Sequence, residues 1–529
     1  MYDGIETFGA VVAHRAENDG DRRFVRFEET ELTFGELSDG GNRIANALVS
    51  LGIGKGDKVA VMLPNGPEYL VTWTGLCRLG VVEVPINVAY KGDLFAYLLN
   101  QAECRAIVVA RQWVDRVAAV AARLETLDHV VVVGDGAVQS VAGVTTHDFA
   151  GFVASAATTD PGVAVATEDP SVILFTSGTT GPSKGAVLSH KANFRLCTNV
   201  IDLMGYGAGE RLFTVFPLFH VNARYNTILP GLVLDDSDCV MHDRFSASRF
   251  WDFCRAEGVT AINYMGALLM MLFKQPERDD DADNPVRRAY GAPSPVEIHE
   301  AFEKRFDVKI VEVYGSTETG TATMNTVENF KLGSCGFAVP YYDVKIFDEM
   351  DNEVPPGTEG EIVVRPKEPY VMFTEYYRNP EATVKAFRNL WFHTGDRGVM
   401  DTDGYFTFVD RMKDAIRRRG ENISSWEVEK VIADHPAVLD AAVVGVPSEL
   451  TEEEVLVVIQ LNEDAELDPV ELLDHCQDRM AHFAVPRYVR FVDAMPRTPS
   501  QRIEKYKLRE EGLTDDTWDR ESVGYEVRR

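Results

Sequence analysis

The sequence turns on SVILFTSGTTGPSKGAVLSHKANFRL, residues 171–196. SVILF is a short apolar run suited to a buried strand, and SHKANFRL opens a helix with Ser189 placed to cap it. Between them lies TSGTTGPSKG (Thr176–Gly185), dense in glycine and hydroxyl residues, with a single lysine, Lys184. Glycines let a backbone bend sharply and bring N–H groups onto a ligand, while the hydroxyls add donors and Lys184 a mobile charge. This is the chemistry of a loop that holds phosphate. It is not a P-loop NTPase, because Lys184 follows Ser183 rather than glycine and the Walker spacing is not met.

The chain around the loop has 529 residues, too many for one core, so two or more domains are expected. At 45% hydrophobic and 26% charged it has a globular composition. A formal net charge of −30 repels nucleic acid and anionic membranes, and any ATP site on such a surface needs local positive charge. The same acidity suits a salt-rich cytosol or reflects a bias of composition. The N-terminal MYDGIETFGA has no basic run, so no secretory signal is expected. VTAINYMGALLMMLF (259–273) is too short and polar to span a bilayer and reads as a buried helix. The seven cysteines form no C-x-x-C pair, which suits a reducing cytoplasm and argues against a structural zinc.

Along the chain, residues 33–52 read as an amphipathic helix with a Thr33/Glu36 capping box, Leu37, Ile44, Leu48 and Leu51 on one face, and Gly52 at its end. VAVML (59–63), PEYLVTWTGLCRLG and VVEVPIN then give a strand–helix–strand rhythm that implies a mostly parallel sheet. RLFTVFPLFHVNARYN (211–226) reads as a strand ending at His220, where α/β sheets place ligands. PERDDDADNP (276–285) reads as a solvated acidic loop, and Gly291-Ala292-Pro293 as a turn. The strand VKIVEV (308–313) runs into YGSTETG (314–320), where Glu318 offers the oxygen ligand that Mg²⁺ prefers. Residues 335–410 are β-rich and include WFHTGD (391–396), in which Asp396 is expected to close a tight turn and accept hydrogen bonds from a ribose diol. A fresh module starts near DRMKDAIRRRGENISS (410–425), with Ser424 and Glu427 as a capping box. Its Arg417, Arg418 and Arg419 make a basic patch that fits a docking polyanion.

TSGTTGPSKG, YGSTETG, WFHTGD, DRMKDAIRRRGENIS and PRTPSQRIEK, in this order and spacing, resemble the adenylate-forming acyl-CoA synthetases. NYMGALLMMLFKQPERDDDADNP, FHVNARYN and RRGENIS look closest to the crotonobetaine/carnitine-CoA-ligase-like branch. The resemblance implies an α/β fold: a large N-terminal AMP-binding domain (1–409) of two α/β subdomains and a distorted β-barrel, a hinge (410–413) with Lys413 as its pivot, and a small mobile α+β domain (414–529). It implies a cytoplasmic ligase that takes a small-molecule carboxylic acid, ATP with Mg²⁺, and coenzyme A, binds no nucleic acid, and is compatible with a homodimer. The acid itself cannot be read.

The resemblance also implies roles. Thr176, Ser177, Gly178, Thr179, Thr180, Gly181 and Lys184 would hold the phosphates, and Thr179 and Glu318 the metal. Gly291, Ala292, Pro293 and Tyr314, with Gly315, Ser316 and Thr317 following, would frame adenine, and Asp396 and Arg411 the ribose. His220, Asn222, Tyr225 and Met265 would line the acyl pocket, and Arg417, Arg418, Arg419, Gly420 and Glu421 the CoA entry. One position departs from the pattern: where the family has Gly-Lys, with the lysine bridging carboxylate and α-phosphate, this chain has Gln501-Arg502. Arg502 keeps the charge and is expected to do that work; the alternatives are that Lys505 substitutes or that the first half-reaction is slow. A carrier-protein loader and a non-catalytic adenylate binder are the other functions considered.

Overall fold

A computed structural model describes residues 7–137, 139–176, 182–411, 415–450, 452–463, 465–497 and 503–528. The chain forms two compact units. One comprises Met1–Val88, Leu99–Leu174 and Gly185–Asp410; the other comprises Ala89–Leu98, Phe175–Lys184 and Arg411–Arg529.

The architecture is α/β. An eight-stranded sheet runs in the order Glu375–Tyr376, Lys184–Ser189, Pro170–Thr176, Val82–Pro85, Lys58–Met62, Cys104–Ala110, His129–Val133, Thr145–Asp148. Its central strands pair in parallel and are rich in buried valine, as a sheet covered on both faces requires. The helix Phe34–Ser50 has both halves of the Thr33/Glu36 box and buries Leu37, Ile44 and Leu48. A second, nine-stranded sheet contains the parallel run Asp238–Met241, Arg211–Thr214, Ala261–Met265, Arg288–Ala292, Lys309–Ser316. Tyr342–Phe347, Gly360–Pro366, Phe392–Met400 and Phe406–Arg411 form a four-stranded half-barrel. The C-terminal module is α+β. Val438–Pro447, Glu453–Leu461, Tyr488–Phe491 and Trp518–Asp519 form its sheet, and the helices Ser425–Ala433 and Pro469–Gln477 contribute to its core. Among the described residues no helix is long and apolar enough to cross a membrane.

Several local expectations are corrected. The run 259–273 is a strand, Ala261–Met265, followed by a helix, Gly266–Phe273. Ile262 and Tyr264 are claimed by parallel pairing with Phe213 and Gly291, which a continuous apolar run does not announce. The helix His190–Met204 is capped by Ser189 as expected, but the strand Lys184–Ser189 intervenes between it and the phosphate loop. The strand at 211 stops at Thr214, and the chain after His220 is helical: Val221–Ala223, then a π-helical turn, Arg224–Ile228. Gly291 and Ala292 end a strand rather than form a turn, and the Ala292–Pro293 bond is cis. Asp396 lies inside the strand Phe392–Met400. The acidic loop is not merely solvated, since Asp281 is buried and pairs with Arg305 at 2.6 Å.

Candidate active site

The C-terminal ends of the parallel strands in the nine-stranded sheet gather many of the expected residues. Met265 stands beside Ala292, Tyr264 beside Gly291, and Gly291 beside Glu312. Two glycines are demanded by close approach: a Cβ on Gly291 would lie 2.0 Å from the Tyr264 carbonyl oxygen, and one on Gly315 would lie 1.8 Å from that of Gly320. From Lys309–Ser316 the chain turns back into Gly320–Met324. The turn is held by the Ser316 N–H, which donates to Thr319 Oγ1 at 3.1 Å.

Glu318 sits in this turn and is buried; its Oε1 accepts from the Tyr376 hydroxyl at 2.8 Å. The Tyr314 hydroxyl donates to Asp396 Oδ2 at 2.7 Å. Burial, and then the Asp396 charge, hold the Tyr314 phenol well above its usual range, so it remains a donor. Glu312, passed over in the sequence, is pushed up to about 7 by burial.

His220 is half-buried, its backbone N–H donating to the Pro217 carbonyl at 3.1 Å. Asn65 fixes this turn from both sides, donating to Phe216 O at 3.0 Å and accepting from Leu218 N at 2.9 Å. The Asn222 amide reaches Met265 Sδ at 3.9 Å. Tyr225 does not join them. It is fully buried, edge-on to Trp73 with ring centroids 6.4 Å apart. Its neighbour Arg224 is equally buried and paired with Glu83. The signals for these unforeseen residues were a lone acid inside the apolar VVEVPIN and an asparagine at a buried strand's end.

In the other unit, the Thr176 hydroxyl donates to the Lys184 carbonyl at 3.4 Å. Ser177–Gly181, Lys413, Arg502 and the Arg411 side chain lie outside the described residues. The arginine patch is not an open basic surface. Arg417 pairs with Glu452 at 3.1 Å, Arg419 with Glu454 at 3.2 Å, and buried Arg418 pairs with Glu454 and donates to Phe483 O at 2.7 Å. Gly420 N donates to Glu452 at 2.9 Å. Glu421 opens the strand that returns from this hairpin. The patch is charge-matched because TEEE (451–454) leads into the neighbouring strand Glu453–Leu461. The Ser424/Glu427 box is half formed: Ser424 Oγ accepts from Glu427 N, and the Glu427 carboxylate takes the Ser183 hydroxyl.

The donor set suits Mg²⁺ brought in with a nucleotide. One buried carboxylate, Glu318, shares its turn with Ser316 and Thr319, whose hydroxyls bond each other, and Mg²⁺ is usually held by one or two carboxylates together with substrate phosphates.

The family description "AMP-binding enzyme" matches residues 12–377, and "AMP-binding enzyme C-terminal domain" matches 427–502. The chain belongs to the AMP-binding enzyme family. A crotonobetaine/carnitine–CoA ligase of Salmonella paratyphi B is 32% identical to this AMP-binding enzyme over 514 residues, covering 93% of this chain and 96% of that protein. Among solved structures, a fatty acyl CoA synthetase of Mycobacterium tuberculosis is 27% identical, with a TM-score of 0.69 over 96% of this chain and 99% of that one. An amide bond synthetase of Marinactinospora thermotolerans is 25% identical, with a TM-score of 0.82 over 95% and 99%. By family the chain is an adenylate-forming ligase, and curated relatives are CoA ligases.

Proposed function

We propose that this AMP-binding enzyme is a cytoplasmic, ATP-dependent acyl-CoA ligase. In the first step the acid's carboxylate oxygen attacks the α-phosphorus of Mg-ATP. The new O–P bond forms as the bond to the β-phosphate oxygen breaks, giving acyl-AMP and pyrophosphate. In the second the CoA sulfur attacks the acyl carbon, its proton passes to solvent, and AMP leaves. Two anions must meet in the first step, so donors and cations have to offset their repulsion. Ser177–Gly181 and Lys184 would take the phosphates and Glu318 the Mg²⁺. Tyr314 and Asp396 would meet adenine and ribose, Arg502 would bridge carboxylate and α-phosphate, and His220 would stand at the carboxylate's approach. The N-terminal domain would span 1–409, and the module 414–529 would turn about Lys413 between steps.

The observation that carries this reading is the hydrogen bond from Tyr314, near the end of the strand Lys309–Ser316, to Asp396 of the half-barrel, with buried Glu318 in the turn that follows Tyr314, held by Tyr376. A second reading rests on the glutamates paired with Arg417, Arg418 and Arg419, which leave less free charge for a polyanion: the acceptor would then be an amine or a carrier-protein thiol. Pyrophosphate release from Mg-ATP across a panel of carboxylic acids tests the first step, and AMP release dependent on CoA tests the acceptor. Acid-dependent pyrophosphate without CoA-dependent AMP would favour the second reading, and silence in both would favour a binding protein.

A further inference from the structure

We infer that Asn222 selects acids bearing a hydrogen-bond acceptor on the acyl chain or ring, a keto, hydroxyl or ether oxygen, over plain hydrocarbon acids. The inference deepens the ligase reading and rests on it. It follows from the direction of one hydrogen-bond chain. Asn263, on the strand Ala261–Met265, points its side-chain amide at the backbone carbonyl oxygen of Asn222, 3.2 Å away. A carbonyl oxygen can only accept, so the Asn263 atom facing it is Nδ2. The same Nδ2 lies 2.5 Å from the Asn222 side chain, so the atom it meets there is Oδ1. At its other end, Asn263 Oδ1 accepts from the buried Thr227 hydroxyl at 2.6 Å. No member of the chain can flip without setting two donors or two acceptors against each other.

Asn222 must therefore present its NH₂ group away from Asn263. Among the described residues, the acceptor that group meets is the Met265 thioether, a weak one, at 3.9 Å. Met265 ends its strand beside Ala292, and Asn222 lies in the short helix Val221–Ala223 that directly follows His220. A hydrocarbon acid reaching this point would cover the amide without satisfying it, and leaving a buried donor unpaired carries its full desolvation penalty. An acid with an oxygen there would satisfy it. The feature that selects is thus a fixed donor, which discriminates more sharply than the size of an apolar pocket.

The experiment sets hexanoate against keto- and hydroxyhexanoates at each chain position, and benzoate against hydroxybenzoates. It reads kcat/KM for pyrophosphate release with the full chain. Wild type is expected to favour one oxygen-bearing isomer over its parent acid by about tenfold or more. Asn222→Leu should bring that ratio near one. Asn222→Asp, which keeps the bond from Asn263 but faces the acid with an acceptor, should penalise the keto acid more than the hydroxy acid, because only a hydroxyl can donate. Equal or better use of the parent acids by wild type overturns the inference and spares the ligase reading, as does a preference that survives both variants. If no acid gives pyrophosphate, the ligase reading itself falls.

Discussion

The Arg224 guanidinium and the Glu83 carboxylate form a forked pair with neither side chain exposed to solvent. Nη1 lies 2.9 Å from Oε1, and Nη2 bonds Oε2. The guanidinium also donates to Leu218 O at 3.2 Å and stands 4.1 Å from the Trp73 ring centroid. Glu83 belongs to the central strand Val82–Pro85 of the eight-stranded sheet, while Arg224 opens the π-helical turn after His220. The pair therefore ties the His220 segment to that sheet. Removing one partner strands the other's charge, so Glu83→Ala and Arg224→Ala should each destabilise the chain by about 3–5 kcal/mol in urea unfolding. A joint Glu83→Leu, Arg224→Met replacement should cost much less than the sum. Single variants within error of wild type would mean that water reaches the pair.

The fold was legible where periodicity and caps agree. The helix Phe34–Ser50 and the valine-rich strands obey rules local to a few residues. The motifs likewise picked out Tyr314 and Asp396, whose side chains are hydrogen-bonded, and Glu318, which is buried. The sequence was mute where a tertiary partner decides. Nothing near Arg417 says that Glu452 and Glu454 will neutralise its patch, or that Tyr225 turns toward Trp73 rather than Met265. The strand in 259–273 was missed because an apolar run has no period to read, and its pairing with Phe213 and Gly291 depends on distant chain.

Two buried groups should bend the stability–pH curve in opposite directions. Burial lowers the His190 imidazole from 6.5 to about 4. As pH falls below 6.5 the unfolded chain takes up this proton first, so stability is lost between 6.5 and about 4. Burial raises Glu312 from 4.5 to about 7. Here the folded chain holds its proton longer, so its contribution is present below 4.5 and is lost as pH rises to about 7. At about 1.4 kcal/mol per pKa unit, each effect has a ceiling of about 3 kcal/mol. His190→Gln should flatten the acid-side loss, and Glu312→Gln should stabilise the chain above about pH 7 relative to pH 4.5. Unfolding free energies across this range check both slopes, and a Glu312→Gln difference that does not change with pH would refute the raised value.

The three arginines of the hairpin should separate by burial. Arg418 is 5% exposed and bonded to Glu454 and Phe483 O. Arg418→Ala leaves buried Glu454 with Arg419 alone and strips Oε2 of its guanidinium, and should lower the unfolding midpoint and impair both half-reactions together. Arg417 and Arg419 are more open. Under the ligase reading, Arg417→Ala and Arg419→Ala should spare pyrophosphate release and raise the CoA concentration needed for AMP release. Removing a competing carboxylate with Glu452→Gln should lower it. If Arg417→Ala slows both steps equally, its assignment to CoA is wrong.

Lys505 is already committed within the C-terminal module. Its Nζ lies 2.9 Å from Ser425 Oγ and 2.7 Å from Glu429 Oε1, and the same Glu429 oxygen accepts from Val443 N at 2.6 Å. Moving Lys505 to a reacting carboxylate would break this anchor, so under the ligase reading Arg502 is the expected cation for adenylation. Loss of a well-placed cation at developing charge slows chemistry about 10²–10³-fold, so Arg502→Ala should lose pyrophosphate release on that scale. Arg502→Lys restores the residue usual in the family and should recover most of the rate. Lys505→Ala should chiefly lower the unfolding midpoint and leave the first step near wild type. The reverse pattern, release abolished in Lys505→Ala with an unchanged midpoint and mild loss in Arg502→Ala, would give the bridging role to Lys505 and require that its contacts with Ser425 and Glu429 break during turnover.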